Sequence, residues 1–375
     1  MDRPENTLKG KSNRRSFIKN GIAAAGMAAV GAGLGVTSMP AFGGQSSGPL
    51  PPGDIAILRL LAAAELVEAD LWQQYAELGG LTPGQLPVET APFTPMNAYQ
   101  NAFMQLDSDG PQYISSNTLD EQSHAKFLNK YLASKGVEPV NLDHFRRLPS
   151  SKAGNAQQIG RLTNLTQLSV DTSWYTRYRS ATNPDLGATF APALPALLEG
   201  QFTAIPLTNA DFNNTDHIQA IANTAAFHFG FIEQGGTSLY AYLSQKVSSP
   251  EVLKITLSIG GDEIAHFLEW VDFSGNGVQP PVAPVTDPNT GLTFPNFDVT
   301  VNPLLQTNLI FPVPAEFIPG LPNVAVIRPV TAEGITAVGA IQGFINDGLF
   351  IGQPAAFTDK LLDLAQQADE AQRES

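Results

Sequence analysis

Two short stretches of the chain repeat one chemical pattern. Glu121-Gln-Ser-His124 and Glu263-Ile-Ala-His266 each set a carboxylate and an imidazole three residues apart. On a helix such residues share a face, so each pair presents one oxygen ligand and one nitrogen ligand to the same point. Two more carboxylates, Glu65 and Glu233, stand inside otherwise apolar stretches, so the chain order is Glu, Glu-x-x-His, Glu, Glu-x-x-His. With 16 Glu and five His in 375 residues, chance alone supplies about 0.2 such pairs. Ionised carboxylates on core-facing stripes are costly unless paired or ligated, and hardly any Lys or Arg shares these stripes. The pattern therefore predicts two divalent cations bound by Glu65, Glu121, His124, Glu233, Glu263 and His266. Hard oxygen and nitrogen donors suit Fe(II) and Mn(II). The chain has no cysteine, which excludes thiolate ligands, iron–sulfur clusters, disulfides and cysteine nucleophiles.

Four helices must carry these residues. Helical periodicity predicts one over 54–78, with Leu58, Leu61, Glu65, Glu68, Trp72 and Tyr75 on one stripe. Gly79, Gly80, Pro83 and Pro87 end it, and a loop with Pro92 and Pro95 leads through a short amphipathic piece to a second helix over about 112–134. Residues 140–215 break the pattern. They contain one amphipathic stretch at about 156–179 and a segment with Pro184, Pro192, Pro195 and Pro206, and read as a long insertion. A third helix is expected over about 217–247. Ser249-Pro250-Glu251 supplies a cap, a first-turn proline and an early acid for a fourth, ending near Phe273. The Pro-rich stretch 274–330 suits extended chain wrapping a surface, and two last helices follow at 332–346 and 355–372.

Charge and the first residues bound the setting. Net charge is −14, and six of the 21 basic residues lie in positions 1–19, so the remainder is more acidic still. Nucleic-acid binding is not expected. Asn13-Arg14-Arg15-Ser16-Phe17-Ile18-Lys19 precedes an uncharged Ala/Gly/Val-rich stretch from Gly21 to Val36. This resembles a twin-arginine export signal at 1–43, with Asn where a small hydroxyl residue is more usual. The stretch is too short and weakly apolar for a stable membrane span in the mature chain, and a periplasmic or extracellular location is expected.

Four carboxylates and two imidazoles on four helices form the ligand set of carboxylate-bridged di-iron and di-manganese bundles. Glu65-Leu66-Val67, with Trp72 seven residues after Glu65, resembles the first-helix motif of bacterioferritin-type bundles. Glu121-Gln-Ser-His124-Ala-Lys-Phe127-Leu128, and Phe231-Ile232-Glu233 followed by Tyr240 and Tyr242, resemble the second and third helices of exported ferritin-like proteins. That group includes plant desiccation-related proteins and fungal relatives, and Glu263-Ile-Ala-His266 completes its pattern. The resemblance covers roughly 54–135 and 217–273. It implies an all-α, ferritin-like four-helix bundle over 54–273, with the long insertion between helices 2 and 3 and a Pro-rich C-terminal extension, 274–375, ending in helices. It also implies Glu65 and Glu263, or Glu121 and Glu233, as terminal or bridging carboxylates, with His124 and His266 each capping one metal. The chain departs from the family in having Trp72 where tyrosine is frequent. It also carries Glu68 on the same face as Glu65, as an alternative ligand.

Several residues have simpler readings. Thr118-Leu-Asp-Glu121 is also a capping-box pattern. His217 and His228 have no Glu three residues earlier and are left out of the ligand set. Gly235-Gly236 and Gly260-Gly261 mark either close helix approach or local irregularity, and Asp262 and Asp272 either orient an imidazole or are solvated acids. Trp72, Tyr75 and Tyr240 are taken as core aromatics rather than redox residues.

The function expected is an oxidoreductase or metal-handling protein using two iron or manganese ions with O₂ or peroxide, of ferroxidase, catalase or rubrerythrin-like peroxidase type. Without cysteine an attached rubredoxin-type iron site is impossible. The alternative is a non-enzymatic, stress-protective or scaffold protein on the same fold. A closed iron-storage shell ranks last, because the insertion and tail obstruct it, although a smaller homo-oligomer fits.

Overall fold

The four bundle helices begin at first-turn prolines or at capping side chains. In this computed structural model the helices are α1 Pro52–Gly79, α2 Ala98–Leu106, α3 Gly110–Ser134, α4 Ser173–Tyr178, α5 Pro195–Glu199, α6 Thr215–Ser244, α7 Pro250–Phe273, α8 Ala337–Asn346 and α9 Ala355–Glu370. Prolines occupy the first turns of α1, α3 and α7, where the missing N–H removes no helical bond. Asn214 accepts from the N–H groups of Asp216 and His217 to start α6, and Ser249 accepts from Glu251 to start α7. The buried Asp54 of α1 also accepts from Ser248 and Ser249 at 2.8 Å each, tying the start of α7 to the start of α1.

The structure describes residues 49–81, 96–178, 191–274, 282–297 and 336–374, with a few positions between 312 and 325. The export signal expected at 1–43, the loop prolines at 83–95 and most of the Pro-rich stretch 298–335 lie outside them. The architecture is all-α: α1, α3, α6 and α7 form the four-helix bundle, α1 packing along α3 and α6 along α7. None of the described helices is long and apolar enough to cross a membrane.

The bundle core is aromatic on one side of the Glu/His residues. Trp72 stacks on Trp270 at 5.2 Å between ring centroids, and Phe229 meets both Trp72 and Tyr75. Thr118-Leu-Asp-Glu121 does not start a helix. It lies two turns inside α3, where the Thr118 hydroxyl donates to the carbonyls of Ile114 and Trp72. The amphipathic stretch at 156–179 is mostly irregular and turns helical only at α4.

The insertion is held to α1 by charge. Asp70 accepts from the backbone N–H groups of Leu162 and Thr163 and from the Thr163 hydroxyl, and pairs with Arg146 at 2.6 Å. About two helical turns further on, Glu77 pairs with the fully buried Arg161 at 2.5 Å. The Pro-rich extension contributes two short antiparallel strand pairs, 285–286 with 293–294 and 312–313 with 324–325. The final helix, expected on the outside, lies against α1 and α8 with Phe357, Leu361 and Leu364 buried and its other face in solvent. Residues 48–375 thus make one compact unit.

A buried ion pair broken on one side leaves an uncompensated charge. Glu77→Ala should therefore destabilise the protein by about 3–5 kcal/mol in denaturant titrations, while Glu77→Leu combined with Arg161→Met recovers most of that loss. Equal instability of the single and double variants would show that the pair does not hold the insertion.

Candidate metal centre

The six predicted residues converge on one point in the bundle core. Glu65 comes from α1, Glu121 and His124 from α3, Glu233 from α6, and Glu263 and His266 from α7. The four carboxylates are at most 1 % exposed and the two imidazoles at most 7 %. Their ligand atoms fall into two groups, Glu65, Glu121, His124 and Glu263 in one and Glu121, Glu233, Glu263 and His266 in the other, all within 4.8 Å of one another in each group. Glu121 and Glu263 belong to both. If two ions were bound, the two Glu-x-x-His carboxylates would be the ones placed to reach both, with Glu65 and Glu233 each reaching one. The resemblance leaves open which glutamates are terminal and which bridge; the overlap of the two groups singles out Glu121 and Glu263. The reason is that α3 and α7 bring their motifs face to face, a relation between helices that spacing along one helix does not contain.

Each imidazole turns Nδ1 inward. His124 Nδ1 lies 3.2 Å from Glu121 and 3.4 Å from Glu65, and His266 Nδ1 lies 3.0 Å from Glu121 and 3.4 Å from Glu233. The outward nitrogens meet carboxylates on the opposite helix. His124 Nε2 of α3 is 3.1 Å from Asp262 of α7, and His266 Nε2 of α7 is 3.4 Å from Asp120 of α3. Each aspartate immediately precedes the glutamate of its own motif, so the arrangement is Asp-Glu-x-x-His on both helices with crossed Asp–His contacts. A carboxylate on the far nitrogen fixes the tautomer and orientation of a ligating imidazole. Asp262 was one of two candidates for this role, and Asp120 went unrecognised. The Asp-Glu repeat at 120–121 and 262–263 was the available signal.

Two aromatic residues hold the end carboxylates. The Trp72 indole N–H donates to Glu233 at 2.9 Å, and the Tyr240 hydroxyl donates to Glu65. Both are core aromatics, but each also orients a ligand. The glycine pairs divide. A Cβ at Gly236 would collide with the Glu263 carboxylate, and one at Gly260 would lie 2.8 Å from Tyr240 Cβ, whereas Gly261 faces open space. His217 and His228 stand apart from the cluster. His217 Nδ1 is 2.8 Å from Asp287, and His228 bridges the Tyr75 hydroxyl at 2.7 Å and Asp347 at 3.1 Å. Glu68 is buried beside the cluster without joining either group of four.

The electrostatics are those of a cation site. Glu65 Oε2, Glu68 Oε1 and both oxygens of Glu263 are buried and accept no hydrogen bond, although a buried polar atom left unpaired is costly. Burial raises the Glu68 and Glu263 carboxyls well above the ordinary range, and repulsion from Glu121 adds to it. Glu121 itself is pushed up to about 7, mainly by burial. Burial alone would depress His124 and His266, but the carboxylates around each ring outweigh it and hold both imidazoles well above their usual range. The Asp262 carboxyl is held low by its hydrogen bond to His124. Without cations, protons occupy the centre. The unpaired oxygens, the mixed carboxylate and imidazole donors and the two groups sharing a pair of bridges fit two divalent ions.

A family model described as a ferritin-like domain matches residues 53–270, and the chain belongs to that family. No match was found among curated proteins or among solved structures.

The proton occupancy sets a pH dependence. Between the ordinary glutamate value of 4.5 and about 7, folded metal-free protein keeps a proton on Glu121 that the unfolded chain has released. Stability therefore falls as pH rises through that window. The two imidazoles, raised above 6.5, continue the fall at higher pH with the same sign. The Tm of chelator-treated protein should drop by several degrees from pH 5 to pH 8, whereas added Mn(II) should raise Tm more at pH 8 than at pH 5. A metal-free Tm that climbs over this range would contradict the assignment. Asp262→Asn should weaken metal binding about 10–100-fold in competition titrations, with the fold retained.

Proposed function

We propose that this ferritin-like protein holds two iron or manganese ions through Glu65, Glu121, His124, Glu233, Glu263 and His266, and uses them with O₂ or peroxide in redox or metal-handling chemistry. The observation that carries this is the sharing of Glu121 and Glu263 between two buried groups of four ligands. Two hard, redox-active ions side by side can exchange two electrons with a single oxygen species.

The residues around them divide the remaining work. His124 and His266 present Nδ1 inward, while Asp262 and Asp120 accept hydrogen bonds from the Nε2–H groups and keep the rings from rotating. Tyr240 and Trp72 keep Glu65 and Glu233 at the ends of the cluster. Burial, with repulsion from the neighbouring carboxylates, raises the Glu68 carboxyl well above the ordinary range, which suits it to give or take a proton beside the centre. Trp72, Trp270 and Phe229 keep water from one side of the site.

The twin-arginine pattern at 13–19 supports export of the chain to the periplasm or outside the cell, and such signals serve proteins that fold before crossing the membrane. Loading of metal in the cytoplasm would suit that route. The motif resemblance supports a place among the exported, desiccation-related ferritin-like proteins.

One observation favours a second reading. All six ligands are enclosed, the most exposed being His124 at 7 %. A metal so enclosed serves equally to lock the bundle in a non-enzymatic, stress-protective protein.

Elemental analysis of protein purified after native export tests the proposal, alongside a Glu121→Ala/His266→Ala variant. About two iron or manganese per chain, lost in the variant, is the expected result. Peroxide consumption or Fe(II) oxidation by the loaded protein, reduced at least 100-fold by His124→Ala, would select the redox reading. Tightly held metal with neither activity would select the protective one, and a folded wild-type protein without metal would sink both.

A further inference from the structure

The α3–α7 face carries a groove whose chemistry is opposite to that of the rest of the chain. It has a volume of about 590 Å³, and among its lining residues are Lys126, Phe127 and Lys130 of α3, Lys254, Ile255 and Ile259 of α7, and the ring of His124. Its described lining includes three lysines and no carboxylate, in a protein with 35 acidic and 21 basic residues. All three lysines are exposed and form no ion pair among the described residues. The acids of α7 on the same side are engaged mainly elsewhere: Asp262 bonds His124, and Glu251 takes Lys135 and the Tyr131 hydroxyl, with Lys254 adding only a longer-range attraction.

The apolar part of the groove is equally distinct. Phe127 is 50 % exposed, and its ring stacks on Tyr131 at 6.4 Å, so it is a braced aromatic wall rather than a loose side chain. Ile255 and Ile259 are mostly buried and stand one turn apart on α7, giving the groove an apolar side. An apolar surface ringed by unpaired cations attracts a molecule with the complementary division, an anionic head on an apolar body. The volume is within the range of small-molecule sites, about 300–1,000 Å³.

We propose that this groove binds a small organic monocarboxylate with an aliphatic or aromatic body, its carboxylate held by Lys126, Lys130 and Lys254 and its body against Phe127, Ile255 and Ile259. The ligand then lies against the outer side of His124, whose inner nitrogen faces Glu65 and Glu121. The site stands on the groove's own residues and goes beyond the metal reading. Its binding is measurable on protein with or without metal, so the two proposals fail separately.

Calorimetry with octanoate on the full chain, both metal-loaded and chelator-treated, tests it, with 1-octanol as the neutral twin. Octanoate should bind saturably and at least tenfold more tightly than octanol. Lys126→Glu/Lys254→Glu should weaken octanoate at least tenfold, and Lys152→Glu, an exposed lysine elsewhere, should leave it unchanged. If the double reversal unfolds by circular dichroism, Lys126→Gln and Lys254→Gln singly are expected to give a threefold loss or more. Equal binding of octanol and octanoate overturns the proposal, as does wild-type affinity in folded charge variants. Absence of octanoate binding also overturns it. A Phe127→Ser variant that turns a dimer into a monomer would then identify the groove as a contact between copies.

Discussion

Four carboxylates packed within reach of one another in a bundle core repel each other and have lost their water. At neutral pH that arrangement persists only if positive charge is brought to it, as protons or as metal ions. Burial and mutual repulsion push the Glu68 and Glu263 carboxyls up, and the same field holds both imidazoles protonated when no metal is present. The rest of the molecule is organised around tolerating this. Helix faces that would ordinarily be filled by leucine carry donors instead, and the aromatic cluster of Trp72, Phe229 and Trp270 supplies much of the apolar packing that the polar centre forgoes.

Such a centre also needs rigid walls, because an oxygen ligand displaced by one ångström leaves a charge uncompensated. The crossed Asp–His contacts link α3 to α7, a pair of bundle helices that touches far less than α1–α3 or α6–α7. Gly236 lets the Glu263 carboxylate lie against the backbone of α6. Outside the bundle, buried polar ties do the clamping. Asp54 joins the starts of α1 and α7, Asp70 and Glu77 fix the insertion to α1, and Asp347 of the C-terminal region reaches His228, whose other nitrogen meets Tyr75. The insertion and extension are therefore braces on the bundle as well as additions to it. The α3–α7 face is treated differently, with exposed Leu119, Phe127 and Leu257 and a row of unpaired lysines.

Local rules account for what was legible in the chain. The four bundle helices were readable because apolar periodicity, first-turn prolines and capping residues all agree on their positions, and their ends differ from expectation by only a few residues. Residues 156–179 were less readable. Their amphipathic pattern is compatible with a helix, but Asp70 takes the backbone N–H groups of Leu162 and Thr163, and extended chain follows. The capping-box reading at Thr118 failed for a related reason, since the pattern is local and the helix had already begun at Gly110.

By itself, the sequence determined which residues could ligate and on which helices they stand. A three-residue spacing on a helix is a geometric fact independent of the fold, and a carboxylate on an apolar stripe has few other uses. Tertiary structure alone decided how the helices face one another. That relation places Glu121 and Glu263 in both groups of candidate ligands, sends Asp262 to His124 and Asp120 to His266, and sets Glu68 beside the cluster without joining it. It also gathers Lys126, Lys130 and Lys254 around one groove. These arrangements join residues on different helices, the α3–α7 contacts among them spanning more than 120 positions of the chain, and no local pattern encodes which face of one helix meets which face of another.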